Sequence, residues 1–134
     1  MPVFSGRGRV LFLDDDPEIR RLGQAMLGRL GYEATAVADG SEVITEYRRS
    51  LDSSAPFDFV ILDLTVPGGV GGCEAMAQLL KIDPNVKAIV SSGYSNDEVM
   101  ANFREYGFSG IVSKPYETAA LAQVLNQLMQ RAAV

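Results

Sequence analysis

Short apolar runs alternate five times with segments of helical periodicity along this 134-residue chain. Short apolar strands flanked by amphipathic helices are typical of a parallel sheet that is covered on both faces. The pattern therefore predicts a doubly wound α/β fold with five strands and five helices, and an antiparallel α+β arrangement is the alternative. The predicted strands lie at 10–13, 33–38, 59–62, 86–90 and 111–112, the second being a weaker alternating segment typical of an edge.

Each predicted helix has an apolar face and recognisable end signals. Asp16-Pro17 supplies an N-cap and a first-turn proline to the first helix, and Gly31 follows its last apolar residue. A capping box at 95–98 predicts the start of the fourth helix, and Gly107 its end. The apolar faces are Ile19, Leu22, Met26, Leu27 and Leu30; Val43, Ile44 and Tyr47 in a helix at 42–51; a third helix at 73–82; Val99, Met100 and Phe103; and, from Thr118 on, Leu121, Val124, Leu125 and Leu128.

Composition excludes several function classes. Seventeen acids against twelve bases give a net charge of -5, so the basic patch of a nucleic-acid-binding protein is missing and no direct nucleic-acid binding is expected. The sequence contains no histidine and one cysteine, which excludes a disulfide framework and the usual zinc sites. No apolar run approaches the length of a membrane span and no signal peptide is evident, so we expect one cytoplasmic domain, with its core at about 8–130 and no membrane insertion.

Polar side chains follow the predicted strands at the point where each strand ends. In an open α/β sheet the site forms beyond these carboxyl ends. Asp14, Asp15 and Asp63 would converge there, and each close pair of carboxylates repels by ~4 kcal/mol at about 4 Å in an effective dielectric of about 20. One lysine cannot neutralise three acids, so the cluster predicts a divalent cation, and all-oxygen ligands suit Mg²⁺ (or Mn²⁺). The other residues at strand ends are Asp16, Asp39, Ser91, Ser92, Ser113 and Lys114.

Asp63 and the glycine-rich segment after it have a chemical interpretation. A carboxylate beside a cation and a lysine can accept a phosphoryl group, with Asp63 as nucleophile and Lys114 stabilising the transferring oxygens. The glycines at 68, 69, 71 and 72 would let the loop turn tightly and leave room for the donor, although a plain strand-to-helix turn would also use them. Asp16 has a similar alternative, because it would serve simply as a helix cap.

Four motifs resemble those of the receiver domains of two-component response regulators. They are VLFLDDDPEIRR, VILDLTVPGG, VSSGY and VSKPY, and they follow one another in the family's order. The resemblance covers about residues 8–130 and implies a flavodoxin-like sheet of strand order 2-1-3-4-5. It implies a signalling phosphoacceptor rather than an enzyme, with at most self-catalysed phosphorylation and dephosphorylation.

The resemblance also implies the composition of the metal site. Asp63 would be both phosphoacceptor and metal ligand. Asp15 would bind the Mg²⁺ (or Mn²⁺) directly and Asp14 through water, and the backbone carbonyl of Thr65 would be a further ligand.

The resemblance also implies which residues of the motifs respond to phosphorylation as a conformational switch. Ser92 would be the hydroxyl that moves toward the phosphoryl group, because the triplet Ser-Gly-Tyr fits the family's order, and Ser91 would end the strand. Lys114 would be the ion-pair partner of Asp63. Two positions depart from the family: Ile111 stands where many receivers have a rotating aromatic residue, so no aromatic switch is expected, and Val70 stands where aspartate is frequent.

The resemblance implies partners as well. A sensor histidine kinase or a histidine phosphotransfer protein would donate the phosphoryl group, and a downstream protein would bind the face made by the fourth and fifth strand-helix units. The segments DLTVPGGVGG and SSGYS are most similar to receivers of hybrid sensor histidine kinases. That similarity would make this chain one domain of a longer protein.

Three rival functions use the same residues differently. A haloacid-dehalogenase-like phosphatase would attack with Asp14 and use Asp16 as the acid, but Pro17 disturbs the expected spacing and Asp63 would have no role. A flavin-binding module would place hydroxyls and glycines, not acids, where a phosphate binds. A docking module that is not regulated by phosphorylation is the third rival.

Overall fold

A five-stranded parallel sheet forms the centre of the molecule. The computed structural model describes residues 8–64, 66, 68–93 and 98–132. Within these ranges the strand order is β2-β1-β3-β4-β5, which confirms the predicted fold class and topology. The strands are β1 (Gly8–Leu13), β2 (Tyr32–Val37), β3 (Phe59–Asp63), β4 (Ala88–Ser92) and β5 (Gly110–Ser113).

Helices cover both faces of this sheet. Asp16 caps the first helix by accepting a hydrogen bond from the Glu18 amide at 2.9 Å, and Gly31 follows that helix with a φ of 96°. The fourth helix is a single turn followed by a 3-10 helix that ends at Gly107, also at φ 96°. Residues 95–97 of the predicted capping box lie outside the described residues. The helices are α1 (Pro17–Arg29), α2 (Gly40–Leu51), α3 (Gly72–Ile82), α4 (Glu98–Ala101), the 3-10 helix (Phe103–Tyr106) and α5 (Thr118–Ala132).

Two hydrophobic clusters lie on opposite faces of the sheet. Alternate strand residues point into each: Leu11 and Leu62 pack toward α2 and α3, while Phe12 and Ile61 pack toward α1 and α5. The central strands are buried on both faces, which explains why they are continuous apolar runs. None of the helices in the described ranges combines the length and the apolar character that crossing a membrane requires.

The second strand, expected at 33–38, spans Tyr32–Val37, and two further sequence predictions about the fold were wrong. Leu22 was expected on the buried face of α1 but is 45% exposed. Gly23 occupies that face instead, so close to the Phe12 ring that a Cβ on Gly23 would lie 2.5 Å from it. The fourth strand was expected at 86–90 but spans Ala88–Ser92, because the Val86 amide still closes a turn to the Asp83 carbonyl.

Candidate functional site

Three carboxylates meet at the carboxyl edge of the sheet. Asp14 and Asp15 follow β1, and Asp63 is the last residue of the neighbouring β3. One carboxylate oxygen of each lies within 4.8 Å of the other two. Asp14 is fully buried and Asp63 is 3% exposed, whereas Asp15 is exposed. The structure thus brings together the acids that the sequence selected, two of them buried and one exposed.

Lys114 lies against two of these acids. Its Nζ is 2.6 Å from Asp14 Oδ2 and 3.2 Å from Asp63 Oδ1. Burial alone would lower the pKa of Lys114, but the two carboxylates more than offset this, and the net shift is upward. Lys114 is therefore a fixed positive charge beside Asp63, as predicted for an ion-pair partner.

The backbone around Asp14 is held by contacts that sequence reasoning missed. The Asp14 amide donates to the Val37 carbonyl at 3.1 Å, and its Oδ1 accepts from the Asp16 amide at 3.0 Å. Arg20 Nη1 donates to the Asp14 carbonyl at 2.8 Å. The available signal was the position of Arg20 one turn into α1, from which a long side chain reaches back toward the helix start.

The predicted switch hydroxyl lies at the end of β4. Ser92 is 3% exposed, and its carbonyl accepts the Lys114 amide at 3.0 Å. It is Ser92, not Ser91 as expected, that ends the strand. Ser91 pairs in register with Asp63, and its hydroxyl lies 2.6 Å from the Tyr116 hydroxyl.

Asp39 connects two loops next to the site. Its Oδ2 accepts hydrogen bonds from the amide and hydroxyl of Ser41, and its Oδ1 accepts from the Val70 amide at 2.8 Å. The Ser41 bonds first, and then the Val70 bond, lower the pKa of Asp39. The Gly40 amide donates in return to the Val70 carbonyl at 2.9 Å. The sequence indicated only that Asp39 follows an edge strand, so this connection was missed.

The glycine-rich segment after β3 has a clear steric role. A Cβ on Gly72 would lie 2.7 Å from the Asp63 carbonyl oxygen, and one on Gly71 would lie 2.8 Å from the Leu64 carbonyl oxygen. Gly68 has a φ of 74°, which favours glycine. The tight turn predicted from these glycines is confirmed, and the predicted space for a phosphoryl donor stays a prediction.

The ligands of this cluster fit the divalent cation that the sequence predicted. All of them are carboxylate oxygens, and Asp14 and Asp63 are buried where like charges need a counter-charge. One lysine supplies a single positive charge against three negative ones. Residue 65, whose carbonyl was predicted as a further ligand, lies outside the described residues.

Comparison with known proteins agrees with this geometry. The family model described as "Response regulator receiver domain" matches residues 10–126. This chain belongs to that family. The receiver is 28% identical over 121 residues to the chemotaxis protein CheY of Thermotoga maritima, covering 90% of this chain and 96% of that protein. It is also 28% identical over 127 residues to the sensor kinase CckA of Brucella abortus, covering 95% of this chain.

The same likeness extends to solved structures. A two-component response regulator of the LuxR family from Aurantimonas sp. SI85-9A1 has a TM-score of 0.81 at 28% identity, covering 93% of this receiver and 86% of that chain. The receiver spans only 13% of the length of CckA, so the known relatives include both proteins of its own size and much longer ones.

Membership in this family argues against the phosphatase and flavin-binding alternatives. The protein is a response regulator receiver domain of two-component signalling, and its acidic cluster fits the phosphoacceptor site of that family. The haloacid-dehalogenase-like alternative is not favoured. Asp14, its required nucleophile, is fully buried and paired with Lys114.

Proposed function

We propose that Asp63 is the phosphoacceptor of this receiver domain. The observation that carries the proposal is the convergence of Asp14, Asp15 and Asp63 at one sheet edge, with Lys114 3.2 Å from Asp63. Asp63 is central because it ends the middle strand of the sheet and has an acid and a lysine beside it. Asp14 is bound on one side by Lys114 and on the other by the Asp16 amide, which suits a ligand more than a nucleophile.

The proposed group transfer exchanges one bond to phosphorus for another. A carboxylate oxygen of Asp63 attacks the phosphorus of a phosphohistidine, the N–P bond breaks with its electron pair left on the imidazole nitrogen, and that nitrogen takes a proton from water. The product is an acyl phosphate on Asp63. Lys114 neutralises negative charge on the transferring oxygens, and Ser92 at the end of β4 would donate to the phosphoryl group after transfer.

Asp14, Asp15 and Asp63 would hold Mg²⁺ (or Mn²⁺) together with the Thr65 carbonyl. When bound, the cation would neutralise the carboxylates and the transferring oxygens. Asp15 is the exposed member of the cluster, so it is the acid through which a hydrated ion enters most directly.

The donor in this proposal is a sensor histidine kinase or a histidine phosphotransfer protein. The sensor kinase CckA and a sporulation initiation phosphotransferase of Bacillus subtilis are among the relatives of this receiver. Output would go through the face made by the fourth and fifth strand-helix units, which includes the 3-10 helix, β5 and α5. An open groove runs along it, lined in part by Ile111, Pro115, Gln123 and Gln127.

Intact-mass measurement tests the phosphoacceptor. After incubation with acetyl phosphate and Mg²⁺, the wild type should gain the mass of one phosphoryl group and Asp63→Ala should gain none. Asp52→Ala is the control, because Asp52 is an exposed carboxylate at the end of α2. An equal gain in Asp63→Ala, or no gain in the wild type, would contradict the proposal.

A second measurement tests whether the protein turns over phosphate esters as an enzyme. We expect no multiple turnover of an aryl phosphate by the wild type. Sustained turnover that Asp14→Asn abolishes and Asp63→Asn leaves intact would favour the phosphatase alternative.

A further inference from the structure

Two hydroxyls form a buried hydrogen bond beside the phosphoacceptor strand. Ser91 is fully buried and Tyr116 is 7% exposed, and their oxygens are 2.6 Å apart. Ser91 is the register partner of Asp63 on the adjacent strand. Burial, followed by the charges of Asp14 and Asp63, raises the pKa of Tyr116 despite the hydrogen bond, so its hydroxyl stays protonated. The pair therefore lies beside the acidic cluster and is itself uncharged.

The same pair fixes the segment that carries Lys114. At one end of the segment the Lys114 amide donates to the Ser92 carbonyl at 3.0 Å, and at the other end Tyr116 bonds to Ser91. The three-residue segment is thus anchored at both ends to consecutive residues of β4. The Tyr116 ring also contacts the Phe12 ring edge-on, with centroids 5.7 Å apart, and Phe12 lies two residues before Asp14.

We propose that Tyr116 and Ser91 are a positioning pair whose hydrogen bond holds Lys114 Nζ between Asp14 and Asp63. The functional part of this inference rests on Asp63 being the phosphoacceptor. Without the Tyr116 hydroxyl, the ring keeps its packing against Phe12, but the segment loses one of the two hydrogen bonds described above that tie it to β4. Lys114 then samples positions farther from Asp63.

Lysine NMR in the absence of metal and phosphate tests the positioning directly. The chain has three lysines, Lys81, Lys87 and Lys114, so lysine-selective labelling gives a simple spectrum in which Lys114→Arg identifies the signal. Tyr116→Phe and Ser91→Ala should each shift the Lys114 ε-methylene signal. The double variant should shift this signal no further than the single variants, because each single substitution already removes the same hydrogen bond.

Tyr47→Phe is the matched control for the lysine spectrum. Tyr47 is also a buried tyrosine, and its hydroxyl donates to Asp83 at 2.7 Å, just beyond the end of α3. This variant should leave the Lys114 signal in place. An unmoved Lys114 signal in folded Tyr116→Phe would overturn the proposal, even if Ser91→Ala did not fold.

The phosphorylation rate tests the consequence of the positioning. With acetyl phosphate, well below the unfolding temperature, Tyr116→Phe should be slower on the order of fivefold, and the double variant no slower than the slower single variant. A purely structural role would lower the unfolding temperature without changing this rate. Equal rates for Tyr116→Phe and wild type would overturn the positioning role in phosphorylation. If the wild type took up no phosphoryl group, the proposed role of Asp63 as phosphoacceptor would be rejected instead. The lysine spectrum would still test whether the Tyr116–Ser91 bond positions Lys114.

Discussion

At the scale of single residues, the three acids of the site differ in what surrounds them. Asp14 is fully buried with Lys114 beside it, Asp63 is buried at the end of β3, and Asp15 is exposed. Sequence position placed all three carboxylates at the ends of two strands, and only the family resemblance implied different roles for them. Burial is a property of the packed fold, so the sequence could identify these acids without distinguishing their environments.

Removing the lysine should destabilise the metal-free protein. Lys114→Gln removes the positive charge that lies against the buried carboxylates of Asp14 and Asp63, and breaking such a pair costs about 3 kcal/mol. Denaturant unfolding in the presence of a chelator measures the loss. Lys81→Gln, at an exposed lysine in the last turn of α3, should change the free energy of unfolding far less. Equal effects of the two substitutions would contradict this assignment.

The pH dependence of stability should report on Asp39. Hydrogen bonds from Ser41 and Val70 lower the pKa of Asp39 below its ordinary value of 3.8. A lowered carboxyl pKa stabilises the fold above the unfolded-state pKa, and this contribution is lost as the pH falls through the folded-state pKa. Asp39→Asn should therefore be less stable than wild type at neutral pH, and the difference should shrink in acid.

Urea unfolding from about pH 6 to about pH 3 measures that difference. Asp52→Asn, at the exposed carboxylate that ends α2, is the control and should follow the wild-type curve more closely. A constant difference between Asp39→Asn and wild type over the whole range would refute the assignment.

At the scale of elements, the turn from β3 into α3 depends on close backbone contact. Gly72 begins α3 where a Cβ would meet the Asp63 carbonyl oxygen, and Gly40 begins α2 where a Cβ would lie 2.6 Å from the Val70 carbonyl oxygen. The sequence predicted a tight turn here from glycine content. It could not predict which backbone atoms approach each glycine, because Gly72 meets the end of β3 across the loop that joins β3 to α3, and Gly40 meets a residue of a different loop.

Two glycine substitutions should have opposite effects. Gly72→Ala should destabilise the protein by about 2 kcal/mol, because its Cβ would displace the end of β3, and should slow phosphorylation of Asp63. Gly28→Ala, on the exposed side of α1 with nothing within 4 Å of its Cβ, should stabilise by about 0.5 kcal/mol. Thermal unfolding and the phosphorylation rate measure both effects. An unchanged unfolding temperature in Gly72→Ala would contradict this prediction, because it would show that the turn accommodates a Cβ.

At the scale of the whole molecule, the sheet separates two hydrophobic clusters and gathers the acids at one edge. The alternation of apolar runs and amphipathic segments was sufficient to predict this architecture, because a sheet covered on both faces requires that pattern. The Ser91–Tyr116 bond was not predictable, since it joins residues 25 positions apart through hydroxyls with no periodic signal. A buried tyrosine usually finds a partner, but the sequence does not say which one.

Cation binding should stabilise the whole fold. If Asp14, Asp15 and Asp63 hold Mg²⁺, the free energy of unfolding should rise by about 2.7 kcal/mol at about a hundred times the dissociation constant. Asp15→Asn should lose most of this gain while folding normally, because Asp15 is exposed. Without the cation the variant should be at least as stable as wild type, since one repulsive charge is gone. Thermal unfolding with Mg²⁺ and with chelator measures the stability of both proteins in both states. If Mg²⁺ stabilised Asp15→Asn as much as the wild type, Asp15 would be excluded as a ligand.

The two outer strands of the sheet bear on how the protein behaves in concentrated solution. β5 is only four residues long, and β2 carries the exposed Glu33, which pairs with Arg9 at 3.1 Å. Unpaired strand borders invite neighbouring chains to add strands, and short length and charge discourage this. Aggregation by sheet extension is therefore disfavoured on both borders, even though the inner strands β3 and β4 are largely apolar and buried along their whole length.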